Sequence, residues 1–107
     1  MVTLVSQDLS EFDLHLRAIL GLPIKEIVYK KAAASSVILA DRESKSFSFT
    51  GVESALNSKN IEVRLFGKPT TRKNRRMGVT LAVDKNIKAA IAKAKAASKK
   101  VKIVYSK

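Results

Sequence analysis

Between Arg64 and Val83 the chain carries six basic residues, Arg64, Lys68, Arg72, Lys73, Arg75 and Arg76, and no acid. Five of them fall in the nine-residue connection from Lys68 to Arg76, between two alternating apolar segments, IEVRLFG (61–67) and RMGVTLAV (76–83). Alternation of this kind predicts two half-buried strands, and Gly67 and Pro69 bend the backbone between them. Lys68 leaves one strand as Arg75 and Arg76 enter its neighbour, so the three bracket one end of the ladder. Two guanidinium forks and an ammonium at such a mouth suit a phosphate monoester, through bidentate hydrogen bonds and a point charge. A small phosphorylated ligand explains the clustering better than solvated loop charge does.

The remaining residues offer little further chemistry. Lys85, Lys88, Lys93, Lys95 and Lys99 alternate with alanines and read as the solvated face of a helix. There is no glycine-rich phosphate loop, no Gly-x-Ser-x-Gly, no cluster with metal-ligand spacing and no plausible triad. With no cysteine, disulfides and Cys-ligated zinc are excluded. His15 is the single histidine and lacks a partner for a relay, so a structural role is expected. Asp41 and Glu43 flank Arg42 as a solvated acid pair, and Glu62 is expected to pair with Arg64 on its strand. As an isolated unit the sequence does not read as an enzyme. A basic nucleic-acid-binding module is the alternative, since the formal charge is +12. Its support is thin: there are four Phe, two Tyr and no Trp, and only Phe66 adjoins the basic cluster, which makes a poor stacking platform.

The distribution of charge locates the partner. Residues 1–60 hold seven Lys/Arg and seven Asp/Glu, whereas 61–107 hold fourteen against Glu62 and Asp84, so the whole excess is C-terminal. An anionic partner belongs there. The 107 residues, 46% hydrophobic, suffice for one domain, or one domain plus a piece of another. No apolar run approaches the ~18 residues that span a bilayer, and no secretory signal pattern opens the chain. A soluble cytoplasmic protein without a membrane partner is expected.

The elements that must position the cluster follow from pattern. MVTLVS alternates as a strand does, and an opening strand is expected either of a chain cut inside a larger architecture or of one whose partner strand comes from elsewhere. Residues 8–20 predict a helix, with Asp8 or Ser10 as N-cap and Glu11 or Asp13 completing a capping box. Phe12, Leu16, Ile19 and Leu20 share one face of it, and Gly21 and Pro23 stop it. IKEIVYK and AAASSVILAD predict two short strands. FSFTGVESALNS predicts a strand ending at Gly51 and then a helical turn. Asp84 is expected to cap a helix through Ser98 that buries Ile87, Ala90, Ile91, Ala94 and Ala97, and VKIVY predicts a last strand. The sum is an α+β domain with an antiparallel sheet.

MVTLVSQDLSEFDLHLRAILGLP, AAASSVIL, IEVRLFGKP and NRRMGVTLA, in that order, resemble the C-terminal quarter of formate-dependent phosphoribosylglycinamide formyltransferases, ATP-grasp enzymes of purine biosynthesis. The Arg-Arg-Met-Gly element is also similar to a signature of related ATP-grasp carboxylases. The resemblance implies a small antiparallel, barrel-like C-terminal domain over 23–107, preceded at 1–22 by the terminal strand and helix of an otherwise missing ATP-grasp domain. In the family, ATP with Mg2+ phosphorylates formate, and the amine of glycinamide ribonucleotide attacks the formyl phosphate. The lysine of Phe-Gly-Lys-Pro and the arginine pair bind the substrate 5′-phosphate, which implies that role for Lys68, Arg75 and Arg76. No family role carries over to Arg72 or Lys73. The ATP- and Mg2+-binding residues lie upstream of the matched part. The chain alone is therefore expected to be inactive, to bind no cofactor, to take glycinamide ribonucleotide or another phosphorylated small molecule, and to need a separate ATP-grasp chain. The family is dimeric, which implies a homodimer.

Overall fold

The computed structural model describes residues 1–106. Its elements are α1 (Thr3–Ser6), α2 (Glu11–Leu20), β1 (Ala32–Leu39), β2 (Phe47–Thr50), α3 (Val52–Leu56), β3 (Ile61–Leu65), β4 (Arg76–Asp84), α4 (Ile87–Lys100) and β5 (Lys102–Tyr105). β4 lies between β1 and β3 in a three-stranded antiparallel sheet, and β2 pairs with β5 in a second antiparallel ladder. The architecture is α+β, as the patterning predicts.

β4 is the central strand, and every residue from Met77 to Ala82 is buried, the signature of a strand covered on both faces. α4 packs across β1 and β4 and presents Ala90, Ala94 and Ala97 to a core that includes Ala34, Ile38, Ala55, Ile61 and Ala82. Only small side chains fit this contact. The Thr80 hydroxyl donates to the Ala94 carbonyl at 2.8 Å, and Ser36 and Ser98 hydroxyls meet at 2.8 Å. That close approach corrects the predicted stripe: the alanines fill it, while Ile87, 56% exposed, and Ile91, 41% exposed, stand outside.

Other expectations also change. MVTLVS forms the single helical turn α1 rather than a strand. Its amides close locally, Leu4 onto Met1, and Val5 and Ser6 onto Val2, because no neighbouring strand among the described residues offers partners for them. IKEIVYK forms no strand either, since its companion segment is helical up to Ser6. Pairing shrinks to one bridge, Gln7 with Tyr29, and the Asp8 carboxylate accepts from the Val28 amide at 2.9 Å. Asp8 is thus a clamp, and Ser10 is the cap: Ser10 and Asp13 form the reciprocal capping box. Gly21, at φ 66°, closes α2 in the left-handed conformation. At α4 the cap is Asn86, whose side chain accepts from the Ala89 amide at 2.8 Å. Asp84 is still strand, paired with Ala32, and the helix runs past Ser98 to Lys100.

Candidate functional site

The basic connection is built between the ends of β3 and β4. Opposite it, β1 and β4 fall out of register: Ile38 pairs with Gly78 but Leu39 with Arg76, leaving Met77 as the extra residue. A bulge of this kind bends the strand and re-aims the next side chain. Met77 is fully buried and its carbonyl accepts from the Phe66 amide at 3.0 Å, so Arg76 beside it is turned out to solvent. Gly67 takes φ 64° as the chain leaves β3, a conformation that costs a side chain about 1–2 kcal/mol.

The loop is anchored at its middle. Thr71, 1% exposed, bridges Ser44, donating its amide to the Ser44 carbonyl at 2.8 Å. Its hydroxyl donates to the Arg42 carbonyl at 2.9 Å. The Asn74 and Ala40 backbones meet at 2.8 Å, and the Ala40 amide donates to the Arg75 carbonyl at 3.0 Å. A tight turn closes from Arg72 to the Arg75 amide at 3.0 Å, with Asn74 at φ 64°. Asparagine tolerates that left-handed position better than most side chains. The turn leaves Arg72 and Lys73 exposed at its tip.

Of the three residues singled out in the sequence, Lys68 and Arg76 are brought together directly. The Lys68 ammonium donates to the Arg76 carbonyl at 2.6 Å and lies 5.5 Å from the centre of the Phe66 ring. Arg75 is held from another side: its Nη1 donates to the Thr70 hydroxyl at 2.8 Å and to the Thr70 carbonyl at 3.1 Å. Among the described residues none of the three cations has a carboxylate ion-pair partner. Two arginines that flank the loop do. Arg64 is bonded to Glu62 at 3.0 Å, as expected, and Arg42 to Asp41 at 2.9 Å. The Arg42 guanidinium also lies 4.6 Å from the Tyr105 ring centre, and its hydrogen bond holds the Asp41 carboxyl below the usual carboxylate range.

Thr70, Thr71 and the Ala40–Ser44 segment were not visible as site residues in the sequence; the one local signal was Asn74 within Arg-Lys-Asn-Arg. His15 is exposed on α2. The lysines of α4 are solvated except Lys93, half-buried against Asp84 at 3.3 Å. A cleft of about 460 Å³ lies elsewhere, between Leu4, Val5, Lys30, Lys31 and the start of β3, and is not lined by Lys68, Arg75 or Arg76. The donor set does not fit a resident metal: among the described residues no three His, Cys, Asp or Glu side chains group to hold one. Among them, too, no helix is long and apolar enough to cross a membrane.

Over 97% of its length the chain matches the crystal structure of N5-carboxyaminoimidazole ribonucleotide synthetase from Thermotoga maritima, with a TM-score of 0.86, 29% identity and 29% of that chain covered. The fold is that of the C-terminal part of an ATP-grasp enzyme. Sequence relatives narrow the class. The chain is 55% identical over 105 residues to the formate-dependent phosphoribosylglycinamide formyltransferase of Hydrogenovibrio crunogenus (strain DSM 25203 / XCL-2), covering 98% of this chain and 27% of that enzyme. It is 51% identical over 104 residues to the enzyme of the same name from Synechococcus sp. (strain CC9902), covering 97% and 26%. It therefore spans roughly a quarter of the length of these relatives. The family described as "PurT, C-terminal" matches residues 33–101, and the chain belongs to it.

Proposed function

We propose that the chain is the substrate-phosphate-binding C-terminal part of an ATP- and formate-dependent glycinamide ribonucleotide transformylase in purine biosynthesis. Lys68, Arg75 and Arg76 hold the 5′-phosphate of the substrate. The observation that carries this reading is the mouth between β3 and β4. There the Lys68 ammonium rests on the Arg76 backbone, and no acid among the described residues pairs with the cations to cancel their charge for an incoming phosphate. Charge-assisted contacts so far from the reacting amine supply binding energy and orientation rather than bond-breaking.

Residues 1–22 belong to the ATP-grasp domain, and 23–107 form the domain that covers the substrate phosphate. ATP and Mg2+ are assigned to the rest of the enzyme, where the family resemblance places the residues that bind them. The same remainder, in cis or as a separate chain, covers the N-terminal surface. Phe12, Leu16, Ile19 and Leu20 of α2, with Leu22 and Ile24 after it, are all exposed, and an apolar stripe of this kind suits a contact with another protein surface. The relatives are long enough to cover it.

The test is a titration of the 107-residue protein with inorganic phosphate, followed by amide chemical shifts. Gly67 to Arg76 should move most. Equal movement along Lys88–Lys99 would show diffuse attraction instead, and would favour nucleic acid as the anionic partner.

A further inference from the structure

We propose that Thr70 is a positioning residue, which holds the Arg75 guanidinium ready for the phosphate. The inference rests on the phosphate reading above and adds how one of its arginines is fixed in place. A loop arginine ordinarily samples many rotamers, and ordering them on binding weakens any anion contact. Arg75 is already ordered. Its Nη1 makes two hydrogen bonds to one residue, at 2.8 Å to the Thr70 hydroxyl and 3.1 Å to the Thr70 carbonyl.

The arithmetic of donors makes this arrangement useful. A guanidinium has five N–H groups and no acceptor. Thr70 engages the two on Nη1, which leaves the Nε–H and both Nη2–H groups, and Nε with Nη2 forms one edge of the fork. That edge matches two oxygens of a phosphate.

The chemistry of the holder matters as much as its place. Arg64 and Arg42 are also held, but by the carboxylates of Glu62 and Asp41, so their charge is spent locally. Thr70 orients its arginine with two neutral acceptors and leaves the positive charge for a ligand. Thr70 is itself fixed, since its neighbour Thr71 is buried and bonded to Arg42 and Ser44. The turn at Asn74 returns Arg75 to it. A chain of contacts thus runs from the Arg42–Ser44 segment through Thr71 and Thr70 to the guanidinium.

Thr70→Val removes the hydroxyl acceptor and keeps the branched shape, whereas Thr70→Ser keeps the hydroxyl. Each 107-residue variant is titrated with inorganic phosphate, and the Arg75 side-chain N–H resonances are recorded before phosphate is added. Phosphate affinity should fall about fivefold in Thr70→Val, the cost of ordering one rotamer-rich side chain on binding, and return to within about twofold of wild type in Thr70→Ser. In the phosphate-free protein the Arg75 Nη1 protons should be resolved in wild type and Thr70→Ser, and lost to exchange with water in Thr70→Val. A merely structural threonine would not give that signature. Wild-type affinity in Thr70→Val, or equal losses in both variants, would overturn this inference alone. A wild type that does not bind phosphate at Arg75 would overturn the site and the inference together.

Discussion

Replacing Gly78 with alanine should loosen the ladder from which the basic loop springs. Gly78 sits on β4 between Ile38 of β1 and Leu65 of β3. A Cβ there would lie 2.7 Å from the Arg64 carbonyl oxygen, 3.2 Å from Leu65 Cδ2 and 3.3 Å from Ile38 Cδ1. The two methyls can rotate away, but the carbonyl belongs to the β3 backbone. A carbon rests about 3.3–3.6 Å from such an oxygen, so β3 must retreat by roughly half an ångström or more. Over-packing of this kind costs about 1–3 kcal/mol. Alanine returns about 0.5–1 kcal/mol by narrowing the unfolded chain. The net loss is about 0.5–2 kcal/mol, or about 2–16 °C in melting temperature for a domain of this size. Thermal unfolding followed by circular dichroism measures it. Phosphate affinity should fall as well, because Lys68 and Arg76 leave the two strands on either side of this rung. A melting temperature within about 2 °C of wild type would refute the steric argument, since the carbonyl would then have yielded at no cost.

Asp84 gives a pH-dependent test. The Lys85 amide, and after it the Lys93 ammonium, hold its carboxyl below the usual carboxylate value. A depressed folded-state value stabilises the fold above the unfolded value of about 3.9, and the stabilisation is lost as pH falls through the folded value. The stability difference between wild type and Asp84→Asn, from urea unfolding, should therefore be full at neutral pH and vanish in acid; a difference unchanged at low pH would contradict the assignment. The chain by itself should neither bind ATP–Mg2+ at micromolar concentration nor release ADP with formate, as calorimetry and a coupled assay would show. Turnover by the pure chain would mean that the catalytic half has been misplaced.

The parts of the fold that a short stretch of sequence can satisfy alone were legible in it. Ser10 and Asp13 build their capping box within three residues. The alternation of 61–67 and 76–83 gave β3 and β4, and with them the mouth between Lys68 and Arg76. What was not legible depends on partners distant in the chain. Asp84 and Asn86 are both cap-forming types two positions apart, and only the pairing of Asp84 with Ala32 decides that the helix starts after Asn86. Thr70 carries no signal in the sequence, because its grip on Arg75 exists only once Thr71 is pinned to Ser44 and Asn74 has turned the chain back.

The apolar face of α2 marks the other limit. Its period correctly gave a helix, but period says which residues share a face and not what covers it; Ile19 is 68% exposed. A ten-residue helix is marginal on propensity alone, and α2 buries no residue of its own. Its caps and the Thr3 hydroxyl, which accepts from the Glu11 amide at 2.9 Å, tie down its start, while hydrophobic stabilisation must come from whatever meets Phe12, Leu16 and Ile19. The charge runs the opposite way: residues 1–60 are neutral in sum, and all of the +12 lies after them. The two ends of the chain are thus suited to different partners. An apolar stripe gains by excluding water against another protein surface, and an unpaired cationic mouth gains most from a compact anion. On the proposed reading both demands are met at once: the ATP-grasp remainder closes over α2, and the substrate phosphate is held at Lys68, Arg75 and Arg76.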